Sequence, residues 1–187
     1  MSELHFDKAL HSYTYNGVRV PSVTQILQAE GFTHPYNGNT AASRGTRIHS
    51  ATRAFDNMDI PVQLPEAERG YLEAYINWQK ETKLDTHFVE IEKPRYNEEL
   101  HFAGTPDRIS ENGTIYDIKT GRPEKTHGLQ LAGYALLHIK EVTATRVNIY
   151  LVNDGSYDEV MQTEAGDYTV FKNALYNYHW KIARGIR

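Results

Sequence analysis

The chain is 187 residues long, a length typical of one domain, and 40% hydrophobic with 11% aromatic residues, enough to fill a sizeable core. A charged fraction of 24% and a net charge of -4 exclude collagen, a disordered chain and a protein that binds nucleic acid by bulk positive charge, while leaving local basic clusters free to grip phosphate. With no Cys, thiolate zinc sites, iron-sulfur clusters, disulfides and cysteine nucleophiles are absent, so any site chemistry uses oxygen and nitrogen.

In chain order, Met1 to Lys8 lacks a basic stretch followed by an apolar one. No run approaches the roughly 18 apolar residues of a membrane span. The expectation is a soluble, untargeted, cytoplasmic protein with no membrane partner. Leu4 to Val20 reads as two or three short strands, with a hairpin turning at Asn16-Gly17 and stopped by Pro21. Ser22 is a good N-cap for a short helix, SVTQILQAEG, closed by Gly31 and followed by the polar loop FTHPYNGN. Longer helices are expected from Thr40 to Asn57 and from Pro65 to Lys83, the latter with Leu72, Tyr75, Ile76 and Trp78 available for burial. Three strands in a meander follow: HFVEIEKPRY, LHFAGTPDRIS and, after Glu111-Asn112-Gly113, TIYDIKT. His127 to Glu141 is helical, TRVNIYLV is an apolar strand, Ser156 to Gln162 pairs with it, and Asp167 to Arg184 closes with an aromatic helix whose periodicity favours core. The pattern predicts a single α/β (α+β) domain over the whole chain, a central mixed sheet flanked by helices, with the hairpin at its N-terminus.

The stretch AGTPDRISENGTIYDIKTG is the most informative. Asp117 and Lys119, two apart on a strand, project to one face. Whether Asp107 joins them depends on register. A two-residue Asn112-Gly113 turn sets Asp107 opposite Ile118 and sends the carboxylates to opposite faces, whereas a three-residue Glu111-Asn112-Gly113 loop sets Asp107 opposite Asp117, with Gly113 supplying the left-handed last position. In the second register the carboxylates stand about 5 Å apart and repel by roughly 3 kcal/mol at an effective dielectric near 20. Lys119 offsets part of that. Two aspartates on adjacent strands also suit Mg²⁺ or Mn²⁺, and a lysine two residues beyond can position or deprotonate a water, which are the parts of phosphodiester hydrolysis.

Pro106-Asp107 with Asp117-Ile118-Lys119 resembles the signature of the PD-(D/E)XK nuclease superfamily, and AGTPDRI resembles the G-x-x-D-x-I form of its RecB-like and phage exonuclease branch. Three further matches stand in the family's order. RGTRIHS is similar to a helix that carries a histidine metal ligand, here His49, with Gly45 one turn earlier leaving room for metal or phosphate. Gln130 to Tyr134 is similar to Q-x-x-x-Y, two residues on one helix face. Pro21 to Leu27 resembles the P-S-V-T-x-(I/V)-L segment of lambda-type phage nucleases and of the mitochondrial genome maintenance exonuclease, where hydroxyls and free amides at a helix start suit phosphate.

The resemblance implies a restriction-endonuclease-like core and a Mg²⁺- or Mn²⁺-dependent DNA exonuclease leaving 5′-phosphate and 3′-hydroxyl ends, in phage or bacterial DNA recombination, repair or degradation. His49, Asp107, Asp117 and the Ile118 carbonyl would ligate metal, with Glu92 in or beside the ligand set and Glu90 the alternative for that role. Asp107, Asp117 and Lys119 would be catalytic. Ser22, Thr24, Arg44, Arg47, Gln130 and Tyr134 would hold DNA, single- or double-stranded with free ends, and Arg53 would lie near its path. A phage recombination or single-strand-binding protein is the expected protein partner. The same residues are compatible with a structure-specific endonuclease, with a non-catalytic DNA-binding module, or with a docking protein that uses Phe171, Tyr176, Tyr178 and Trp180.

Overall fold

The computed structural model describes residues 3–8, 10–33, 40–82, 88–138 and 144–186. Strands β1 (Leu4–Asp7), β2 (Ser12–Tyr15) and β3 (Val18–Val20) form an antiparallel sheet in sequence order, turning at Asn16-Gly17 as the sequence predicts. Helix α1 (Val23–Ala29) starts on a capping box: the Ser22 Oγ accepts from the Gln25 amide at 3.1 Å, and the Gln25 side chain accepts from the Ser22 amide at 3.0 Å. Helix α2 (Thr40–Asp56) ends one residue short of the expected bound.

The third helix is shorter than its periodicity suggests. Glu66–Glu68 forms one 3-10 turn with Pro65 before it, and α3 proper runs Arg69–Glu81; Lys83 lies outside the described residues. Tyr75 and Trp78 are fully buried, whereas Leu72 and Ile76 are half-buried.

The expected three-strand meander is corrected to five strands. HFVEIEKPRY breaks into β4 (Phe88–Ile91) and β5 (Arg95–Asn97), and LHFAGTPDRIS into β6 (Phe102–Gly104) and β7 (Arg108–Ser110). Each break contains a proline, Pro94 or Pro106, which has no amide hydrogen to give to a ladder. β5 and β6 pair as a separate ribbon, while β4, β7 and β8 (Ile115–Lys119) run antiparallel in the main sheet. Helix α4 (His127–His138) crosses from β8 to β9 (Arg146–Leu151), which is why those two strands are parallel. Residues 139–143, where the sequence extends this helix, are outside the described set. β10 (Tyr157–Met161) pairs antiparallel with β9, and α5 (Gly166–Ala183) follows. The main sheet has the order β10-β9-β8-β7-β4, the mixed sheet flanked by helices that the sequence predicts.

Alternation along β8 and β9 splits the core. Tyr116, Ile118, Val147, Ile149 and Leu151 face Ile48 of α2 and Tyr75 and Trp78 of α3. On the other side Ile109 and Ile115 pack with α1, α4 and α5. Gly133 permits that second layer to close, because a Cβ there would stand 2.7 Å from the Phe171 ring and 2.8 Å from Val23. Helix α5 is core along Tyr168, Phe171, Ala174 and Leu175, but Tyr176 and Trp180 are exposed, so its aromatic stripe is only partly internal. Among the described residues no helix is long and apolar enough to cross a membrane.

Candidate active site

The register left open by the sequence is the three-residue one. Arg108 pairs with Tyr116 and Ile109 with Ile115, which places Asp107 opposite Asp117. Gly113 is left-handed at φ 81°, and its amide donates to the Ser110 carbonyl at 2.9 Å. Beyond Arg108 the two strands part. There the Ile118 amide donates to Asp107 Oδ2 at 2.7 Å in place of a strand partner, while the Ile118 side chain is buried in the opposite core layer.

Each carboxylate has its own nitrogen partner. His49, reaching from α2, stands with Nδ1 3.3 Å from Asp107 Oδ1. Lys119 donates from Nζ to Asp117 at 3.0 Å for Oδ1 and 2.7 Å for Oδ2. The same ammonium donates to Gln130 Oε1 at 2.8 Å, and Gln130 Nε2 donates to the Tyr134 hydroxyl at 2.9 Å, so the i, i+4 pair on α4 acts as one unit tied to the lysine.

The electrostatics separate the two aspartates. Burial raises the Asp107 carboxyl, but the His49 charge and hydrogen bond, the Lys119 ammonium and the Ile118 amide outweigh it and hold the pKa below the ordinary value. Asp117 goes the other way: burial and its acidic neighbour Asp107 lift it, despite Lys119. His49 is raised because the Asp107 carboxylate, and to a lesser degree Asp117, more than offset the burial that lowers it.

Glu92 and Glu90 are distinguished by their surroundings. Glu92, left-handed at φ 45°, donates its amide to the Asp107 carbonyl at 2.9 Å, and its carboxylate accepts from Arg53 at 3.1 Å, one turn beyond His49 on α2. Glu90 instead pairs with Arg95 and with Lys93. Of the two, Glu92 is the one hydrogen-bonded to Asp107, through its backbone amide rather than its carboxylate.

Other expected DNA contacts stand apart from this cluster. Arg44 donates to the Thr120 carbonyl at 3.2 Å and lies over the Tyr71 ring at 5.3 Å, and Arg47 makes a two-pronged ion pair with Glu68. With Ser43 and Asn153 they line a cleft of about 460 Å³ between α2 and α3. Ser22 is buried and its hydroxyl is committed to the helix cap; α1 begins against Gly104 and Gly133, where a Cβ on either glycine would touch Val23. Thr24, in the first turn of the same helix, is half-buried.

Sequence reasoning missed two polar residues behind Asp117. Asn148, fully buried and in register with Asp117, donates from Nδ2 to Asp117 Oδ2 at 2.7 Å, and Gln162 Nε2 donates to Asn148 Oδ1 at 2.9 Å. The available signal was one Asn inside the otherwise apolar run VNIYLV; a buried amide requires partners. Among the described residues no three His, Asp or Glu side chains by themselves form a cation cage. The Asp107 and Asp117 carboxylates, the His49 imidazole and the Ile118 carbonyl nonetheless make a donor set rich in hard oxygen, the chemistry a small divalent cation takes when water completes its shell.

A family model of the PD-(D/E)XK nuclease superfamily matches residues 49–164, a span that includes His49, both aspartates, Lys119, Gln130 and Tyr134. Among solved structures, the crystal structure of an alkaline exonuclease (LHK-Exo) from Laribacter hongkongensis aligns at 12% identity and a TM-score of 0.41, over 88% of this chain and 91% of that one. No curated protein matches the chain. Members of the matched family generally use divalent metal ions. With more than half its length matched, the chain belongs to the PD-(D/E)XK nuclease superfamily.

Proposed function

We propose that this chain is a Mg²⁺-dependent deoxyribonuclease, Mn²⁺ serving as the substitute, and that it degrades DNA from free ends in phage or bacterial recombination, repair or degradation. The observation that carries the reading is the pairing of Asp107 across from Asp117 with Lys119 bonded to the second carboxylate. His49, Asp107, Asp117 and the Ile118 carbonyl would hold the ion, and Glu92 orders the Asp107 backbone beside them. When bound, the ion supplies a lower water pKa and neutralises charge on the phosphate.

The chain's own groups do the rest. Asp107, held ionised by His49 and the Ile118 amide, contributes fixed negative charge. Lys119 Nζ, suspended between Asp117 and Gln130, positions the attacking water in line with the phosphate. Gln130 and Tyr134 contact the strand next to the scissile bond, and Thr24, Arg44 and the Glu68-paired Arg47 hold its backbone further out. Exonuclease action rests on the likeness of PSVTQIL and AGTPDRI to the phage exonuclease branch.

The test is a Mg²⁺-dependent cleavage assay on end-labelled linear single- and double-stranded DNA beside closed circles. Loss of linear DNA alone is expected, and nicked circles would replace the exonuclease with an endonuclease. Asp117→Ala and Lys119→Ala should each abolish cleavage while circular dichroism remains that of the wild type. Undiminished cleavage by both variants would sink the assignment.

A further inference from the structure

A second polar pair borders the lysine, and neither the motifs nor the metal-type cluster uses it. Tyr150 is in register with Lys119 on the neighbouring strand, and its hydroxyl stands 2.8 Å from His127 Nδ1. His127 opens α4 one turn before Gln130 and two turns before Tyr134, so the three share a helix face. That face is the one whose Gln130 bonds Lys119.

The hydrogen bonds are the basis on which the His127 tautomer is assigned. The Glu124 amide, which can only donate, points at Nδ1 from 3.3 Å. With Nδ1 assigned as the acceptor of that amide, the Tyr150 hydroxyl is the second donor in a shared contact and the neutral ring carries its proton on Nε2. Burial, with a smaller push from the Lys119 ammonium, drives the imidazole pKa down to about 4, so the ring is neutral at physiological pH. A neutral ring beside Lys119 adds no repulsion, and its half-buried Nε2 edge has no protein partner among the described residues.

We propose that His127 is a substrate-positioning residue whose Nε2–H donates a hydrogen bond to a phosphate oxygen of the DNA strand on the Lys119 side of the site. Tyr150 acts through it, by fixing the tautomer and the ring orientation. The contact is made to bound DNA before any bond breaks, so it contributes to ground-state and transition-state binding alike. The inference rests on the nuclease reading for its substrate, but not on turnover.

The experiment therefore has two arms. Binding is measured in EDTA by fluorescence anisotropy with a labelled single-stranded oligonucleotide and its duplex, and cleavage of the same DNA is followed with Mg²⁺. His127→Ala should weaken binding by about tenfold and raise KM correspondingly, with kcat within roughly threefold of wild type. His127→Gln, whose Nε2 can take the place of the imidazole donor, should recover most of the affinity. A role confined to packing would lower the melting temperature of His127→Ala and leave its affinity and KM unchanged, and that result overturns the proposal. Equal weakening by His127→Ala and His127→Gln also overturns it. Should the wild type fail to cleave while His127→Ala still loses DNA affinity and His127→Gln restores it, the nuclease reading falls and the contact stands. Wild-type cleavage with an unaffected His127→Ala has the opposite meaning.

Discussion

Arg108 is fully buried, and it joins the strand that leads from Asp107 to the helix that carries His49. Its Nε donates to Asp56 Oδ2 at 2.5 Å, its Nη2 to the Thr52 hydroxyl at 3.2 Å and its Nη1 to the Asp107 carbonyl at 2.7 Å. Asp56, with a side chain only 3% exposed, also accepts from the Tyr75 hydroxyl at 2.8 Å and from Gln79 at 2.6 Å. Arg108→Met keeps much of the side-chain volume but leaves that carboxylate with two neutral donors and no cation. Stranding one member of a buried pair costs about 3 to 5 kcal/mol, a large share of the roughly 5 to 15 kcal/mol that holds a domain together. With a urea slope of about 2 kcal/mol per molar, the unfolding midpoint should fall by roughly 2 M. The companion change Asp56→Leu removes the stranded charge, so the double variant should be less destabilised than the sum of the two single variants by about 2 kcal/mol or more. Urea titrations followed by circular dichroism would measure all four proteins. Strict additivity, or an Arg108→Met midpoint within experimental scatter of wild type, would refute the claim that α2 is locked to the active-site strand by a coupled buried ion pair.

Three other outcomes follow from the same geometry. Asn148→Leu removes the 2.7 Å donor that orients Asp117, so the Mg²⁺ concentration for half-maximal cleavage should rise by roughly 10- to 100-fold; an unchanged titration would show that Lys119 alone holds the carboxylate. An alanine in place of a helical glycine ordinarily stabilises by about 1 kcal/mol, but at Gly70 the new Cβ would stand 1.7 Å from the Asn153 carbonyl oxygen, so Gly70→Ala should lower the melting temperature, and a rise would contradict the packing of α3 on the β9–β10 turn. The His127 pKa is lowered by burial from 6.5 to about 4, so the unfolded chain binds a proton in that interval that the folded chain does not, and stability falls as pH drops from 6.5 towards 4. Allowing for solvent screening of a half-buried ring, the wild type should lose about 1 to 2 kcal/mol more than His127→Gln across that range, and parallel stability curves for the two proteins would count against the buried neutral imidazole.

What the residues alone determined is local. The N-cap at Ser22, the turns at Asn16-Gly17 and Gly113, and the i, i+4 pairing of Gln130 with Tyr134 each depend on a few neighbours in sequence, so backbone preference and side-chain period suffice to find them. The order of the motifs was likewise legible, and the family match runs from His49 through both aspartates, Lys119, Gln130 and Tyr134, without reaching Pro21 to Leu27. The register of Asp107 against Asp117 was narrowed to two possibilities and no further, because a two- and a three-residue loop both satisfy Asn112-Gly113, and only the pairing of Ile109 with Ile115 selects one.

The tertiary structure decided everything that spans distant segments. Asn148 reaches Asp117 only because α4 returns the chain parallel to β8 in a register that sets the two side by side, and Gln162 arrives from beyond β10. Arg47, readable in sequence as a free DNA contact, is paired with Glu68 from the turn before α3, and Arg108 meets Asp56 only where α2 crosses the end of β7. The physical reason is common to all of them: a buried or paired charge is fixed by which partner the fold brings within hydrogen-bonding distance, and that depends on loop closure and sheet register rather than on any pattern within one segment.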